Sequence, residues 1–186
     1  MEVRITNVRI AFATLFEPRS VNGEGDPRFS ATFIIEQASP LAKALDKAIT
    51  QVATEKWKDK APGVLKKLFS EGRVCLLKGA KTNQSGEVYE GFEDTWSINS
   101  SNKARPTVVD RNRSPLTQAD GKPYSGCYVN AVVELWAQDN NWGRRVNATL
   151  KGVQFVRDGD AFTGTRVASA DAFEDLGVDE DAAAIV

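Results

Sequence analysis

The chain has 186 residues, 41% of them hydrophobic and 26% charged, the composition of one globular domain with an ordinary core. It contains no histidine, which removes the commonest general base, the Ser/His/Asp and Cys/His arrangements, and every His-ligated zinc geometry. The formal net charge of −1 conceals a division: residues 167–186 hold six acids and no Lys or Arg, so residues 1–166 carry 24 bases against 19 acids, a surplus of five.

The opening MEVRITNVRIAF is interrupted by polar residues, and no apolar run approaches the ~18 residues of a membrane span. Neither a signal peptide nor a membrane partner is expected. From Val8 the sequence alternates, with Val8, Ile10, Phe12, Thr14 and Phe16 on one face of a first strand. Residues 17–27, crowded with Pro, Gly, Asn and Asp, read as a loop. Phe29, Ala31, Phe33 and Ile35 mark a second strand.

Ser39 as N-cap and Pro40 at the first helical position open a helix whose stripe is Leu41, Leu45, Ala48, Ile49 and Val52, ending near Lys60. Residues 62–69 suit a shorter helix. The glycine-bounded run at 73–79 predicts a buried strand. Residues 79–93 read as a long polar loop carrying Tyr89 and Phe92, Trp96 and Ile98 begin another strand, and 100–123 is loop around a short PTVVD piece.

The strongest sheet signal follows. Cys127, Val129, Ala131, Val133 and Leu135 share one face and Tyr128, Asn130, Val132, Glu134 and Trp136 the other. Residues 139–143 form a turn, 146–156 return as the hairpin partner, and 157–162 turn again. About six mostly antiparallel strands with a helical insertion close most naturally as a small barrel or curled sheet.

No phosphate-binding glycine motif or βαβ rhythm is present. Cys75 and Cys127 lie 52 positions apart without a CxxC, so both are expected reduced and buried, in a cytoplasmic protein. No metal or other cofactor is expected.

What remains is aromatic and cationic side chains interleaved in loops, the materials of single-stranded nucleic-acid binding by base stacking and phosphate contact. Lys78 and Lys81 accompany Tyr89, Phe92 and Trp96; Lys103, Arg105, Arg111 and Arg113 accompany Tyr124 and Tyr128; Arg144 and Arg145 adjoin Trp142. Phe12, Phe29, Phe33 and Phe155 fall in strand patterns and are assigned to the core. Trp57 is expected to cover the barrel edge, and Trp136 is open to packing under the helix.

The series KTNQSGEVYEGFEDTWSINSSNKARPTVVDRNRSPL, YSGCYVNAVVELWAQ and GVQF resembles the compact single-stranded DNA-binding proteins of tailed bacteriophages. That resemblance implies a mainly β fold with a helical insertion, an OB-fold-like antiparallel β-barrel over residues 1–166, that coats single strands in phage replication, recombination and repair without covalent chemistry, in the host bacterial cytoplasm. It also implies that 167–186 is an acidic, flexible tail whose Asp171, Glu174, Asp175, Asp179, Glu180 and Asp181 compete with DNA and contact replication proteins. A homo-oligomer is compatible with it. Two rival readings are a non-enzymatic β-barrel interaction module with a solubilising tail, and a nuclease holding Mg2+ on a carboxylate pair such as Glu93 and Asp94 or Asp158 and Asp160.

Overall fold

The structure is a computed structural model and describes residues 1–21 and 23–162; the acidic segment 167–186 lies outside them. In chain order it contains β1 (Glu2–Val21), β2 (Glu24–Glu36), α1 (Pro40–Trp57), a 3-10 turn (Lys58–Lys60), α2 (Ala61–Ser70), β3 (Leu76–Leu77), β4 (Thr95–Asn102), β5 (Thr107–Val109), β6 (Tyr128–Asn140) and β7 (Gly143–Arg157). Hydrogen bonding runs β3-β4-β2-β1-β6-β7-β5, and a parallel pairing of β4 with β7 closes β1, β2, β4, β7 and β6 into a five-stranded barrel. This is the small barrel that the strand pattern predicts, and the mainly β, OB-fold-like form with a helical insertion that the resemblance implies.

The barrel is filled by the apolar faces of its strands. Cys127, Val129, Ala131, Val133 and Leu135 of β6 are all buried, as are Phe29, Ala31, Phe33 and Ile35 of β2 and Phe155 of β7. The Ser39 hydroxyl accepts from the Ala42 amide and caps α1, which seats Leu45, Ile49 and Val52 against the core. Trp57 is buried where α1 ends, and its indole N–H donates to the Asp139 carboxylate at 2.8 Å.

Four expectations are corrected. Residues 17–27 are not a loop except at the turn: β1 and β2 continue as a ribbon paired at Arg19 with Arg28 and Val21 with Glu24. Most of this ribbon lies beyond the core with both faces in water, so its composition carries no apolar alternation to betray it. The 73–79 run forms only the two residues of β3, with a bridge from Val74 to Val146. β4 runs to Asn102, into a stretch whose composition predicts loop.

The fourth concerns Phe12, assigned to the core but 46% exposed. In β1 the inward residues are Ile5, then Val8 and Ile10, then Leu15, with Val3 and Ala13 packed against the same core. The alternation slips one place at Asn7 and again at Phe12, the two residues of the strand with positive φ (52° and 49°). Ladder register shifts coincide with both, so each marks a β-bulge. The second bulge turns Phe12 outward.

After β7 the chain makes a strap. Tyr124 donates its hydroxyl to Asp158 and accepts from the Gly159 amide, and Arg9 donates to the carbonyls of Gly126 and Asp160. The Phe162 ring lies under the Arg9 guanidinium, 4.1 Å from its centroid, and against the bare Cα of Gly91. The segment expected as a simple turn is thus clamped to the barrel.

Candidate nucleic-acid interface

One wall of the barrel carries an open cleft of about 570 Å³. Its floor is the outward residues of the strands: Ser30 and Thr32 of β2, Asn99 and Ser101 of β4, Asn147 and Thr149 of β7, and Gln138 of β6. Phe12 and Trp136 flank that polar floor, and Arg28, Arg73 and Arg145 reach it. Among the described residues no carboxylate lies within ion-pair distance of these three arginines.

Trp136 is 43% exposed, and its indole N–H donates to Thr149 Oγ1 at 3.0 Å, which fixes the ring's tilt over β7. The cleft continues, through the shared residues Arg28, Ser30, Ser101 and Gln138, into a second cavity bordered by Arg19, Lys103 and Trp142. Trp142, at the β6–β7 turn, is 85% exposed. Three large exposed aromatics therefore stand along one continuous depression with cations between them, an arrangement suited to flat, anionic ligands.

Phe12 is braced rather than loose. Tyr89 meets it edge-on at 5.1 Å, Phe92 lies beside it at 6.0 Å, and Lys81 Nζ stands 5.4 Å from its ring centre. Partial burial pulls the Lys81 ammonium below its ordinary pKa. Phe92 itself is 1% exposed. Its expected role as a stacking surface is thereby corrected: the ring supports Phe12 from beneath, because the 79–93 segment folds over β1 instead of standing free.

The remaining expected residues divide into groups. Lys103 borders the second cavity and is ion-paired with Asp26, which holds that carboxyl below its usual range. Arg105 lies 5.6 Å from the Phe16 ring. Arg144 pairs with Asp139 at 3.2 Å; the Asp139 carboxyl is held low chiefly by the Trp57 indole, then by Arg144. Trp96 is half-buried against the core, with Lys78 Nζ 5.4 Å from its ring.

Arg111 and Arg113 are exposed on the loop after β5, and Arg113 borders a different cavity, between β1, β5, β6 and β7. Tyr124 and Tyr128 serve the strap; the Arg157 guanidinium covers the Tyr128 ring at 3.3 Å. None of these four lines the cleft.

Sequence reasoning misses Phe12, Arg28, Arg73 and Trp136 as cleft residues; Arg145, which it sets beside Trp142, does reach the cleft. For Trp136 a signal exists, since it falls on the outward phase of β6 between Glu134 and Gln138. Among the described residues no three Cys, Asp or Glu side chains gather as a metal site, and Asp158 is engaged by Tyr124. Both cysteines are unpaired and buried; burial pushes the Cys75 thiol up to about 12.

Comparison with known proteins adds the lineage. The family model described as "Enterobacter phage Enc34, ssDNA-binding protein" matches residues 1–183. "Putative protein p50" of Acyrthosiphon pisum secondary endosymbiont phage 1 is 44% identical over 187 residues, covering 97% of each chain. The single-stranded DNA-binding protein of bacteriophage Enc34, solved in complex with ssDNA, superposes with a TM-score of 0.71 at 24% identity, over 87% of this chain and 89% of that one. The bacteriophage T7 protein gp2.5, a single-stranded DNA-binding protein, superposes with a TM-score of 0.57 at 14% identity, over 96% and 97%. The two superpositions establish a shared fold. The match of nearly the whole chain establishes more: this protein belongs to the family of the Enterobacter phage Enc34 ssDNA-binding protein.

Proposed function

We infer that this protein binds single-stranded DNA in the cleft, with little sequence preference, and coats it during phage replication, recombination and repair without covalent chemistry. The observation that carries the reading is the pairing of outward-facing Phe12 and Trp136 with Arg28, Arg73 and Arg145 across a floor of hydroxyls and amides. Aromatic faces stack on any base, and guanidinium groups follow the phosphates. The floor offers hydrogen bonds to whichever base edges descend to it. Two buried, unpaired cysteines suit the host bacterial cytoplasm, and among the described residues no helix is long and apolar enough to cross a membrane.

Titration with poly-dT is the test. Tryptophan fluorescence is expected to quench, and the logarithm of the binding constant to fall with the logarithm of salt at about −0.7 per phosphate neutralised. Unquenched fluorescence and a flat salt response would instead favour a protein-interaction module.

The acidic segment 167–186, taken as a separate tail, is a competitor for the same cations in this reading, and a site for replication proteins. Removing the residues after Arg166 takes away six negative charges, so the truncated chain is expected to bind oligonucleotides more tightly at low salt. Unchanged or weaker binding would remove the competition.

A further inference from the structure

The surplus positive charge of residues 1–166 is not in the barrel. Residues 40–78, which contain α1, α2 and β3, hold nine bases and four acids, a surplus of five; the other residues of the body balance, 15 against 15. The helical insertion thus carries the whole excess.

It also adjoins the cleft. Gly72, in the turn between α2 and β3, borders the cleft and also a neighbouring cavity of about 490 Å³ along α2. Val74 and Asn99 are shared in the same way. A Cβ added at Gly72 meets nothing within 4 Å, so the passage over this residue is open. The turn is held rigidly: the Arg73 amide donates to Leu68, and Arg73 and Cys75 exchange backbone hydrogen bonds with Val146 of β7.

In the neighbouring cavity, exposed Lys66 has no ion-pair partner among the described residues. Lys78 stands over the Phe69 ring at 4.5 Å and pairs with Asp46 at 2.7 Å on a face open to water.

We propose that the DNA strand does not end at Arg73 but crosses Gly72 onto the helical insertion, where Lys66 and Lys78 hold the phosphates of additional nucleotides. This extension rests on the reading of the cleft as a single-strand site. It differs from the cleft in chemistry: the cavity has cations on an apolar floor of Phe69, Leu76 and Leu77, so its contribution is electrostatic and depends on strand length.

The experiment compares the full-length protein with the Lys66→Ala variant and the Lys66→Ala, Lys78→Ala double variant. Thymidine oligomers are graded across the ~4–16 nucleotides that barrels of this type occlude. On the shortest oligomer that binds, all three proteins are expected to match. On the longest, the variants weaken several-fold and the salt slope becomes shallower by about 0.7 for each lysine removed.

Lys66→Arg is expected to restore the slope, which a purely structural role would not predict. Equal binding of all three proteins at every length overturns the extension and leaves the cleft intact. A loss that is the same for short and long oligomers also overturns it, since the lysines then act within the cleft or through the general field. Failure of the wild-type protein to bind at any length overturns the cleft reading itself, and the extension with it.

Discussion

Replacing Trp136 with alanine is expected to weaken single-strand binding by about five- to 150-fold, the equivalent of ~1–3 kcal/mol for one stacked base. The indole is outward-facing and stands at the side of the cleft, so its removal takes away stacking area without opening a cavity in the core. Within the protein, the substitution also deletes the indole's hydrogen bond to Thr149, whose net worth is about 1 kcal/mol. The thermal midpoint should therefore shift by only a few degrees while the binding isotherm moves by an order of magnitude. Trp136→Phe keeps a flat ring and should recover most of the affinity. If Trp136→Ala binds poly-dT as the parent does, at matched salt, the cleft is not where the bases lie.

The second large effect is on stability, at Gly126. This residue has φ +108°, a conformation that side chains disfavour, and a Cβ there would overlap the carbonyl oxygen of Asp160 in the strap. Gly126→Ala combines backbone strain with a forced displacement, each costing about 1–3 kcal/mol. We expect a lowered denaturant midpoint with an unchanged slope.

The strap gives a way to tell the two costs apart. If the overlap dominates, the strap lifts away, and Phe162 leaves Gly91 and the Arg9 guanidinium. Phe162→Ala added to Gly126→Ala then costs less than it does alone, a non-additivity expected for residues that share one contact. An unaltered midpoint in Gly126→Ala would mean that the strap is not packed as described.

How much of this is legible depends on whether a residue's surroundings lie near it in sequence. The α1 cap needs only Ser39 and Pro40, and the buried face of β6 needs only the period from Cys127 to Leu135, so both are readable. The same period puts Trp136 outward, but recognising a cleft requires β2, β4 and β7 beside it, and β2 comes from the opposite end of the chain. Arg28 and Arg73 look like ordinary surface charges because their shared cleft exists only after the barrel closes.

Phe12 defeats the pattern for a different reason. A strand pattern assumes a fixed period of two, and the bulge at Phe12 reverses its phase without leaving a glycine or proline to announce it. The residues predicted on the 100–123 segment fail in the opposite direction. Arg111 and Arg113 have the right chemistry, but the short β5 pairs with Gly152, Val153 and Gln154 of β7, past the point where β4 meets that strand, and neither arginine lines the cleft; Arg113 borders a different cavity.

The closure of the barrel has a mechanical consequence. β4 and β7 meet through a single ladder pair, Ser101 with Thr149, helped by the Asn102 side chain on the Leu150 carbonyl, whereas β6 and β7 are zipped along their whole length. This narrow seam runs along the bottom of the depression, and both of its paired residues help to form that surface. A polymer lodged there spans both lips of the seam and acts as a suture across the weakest join in the wall.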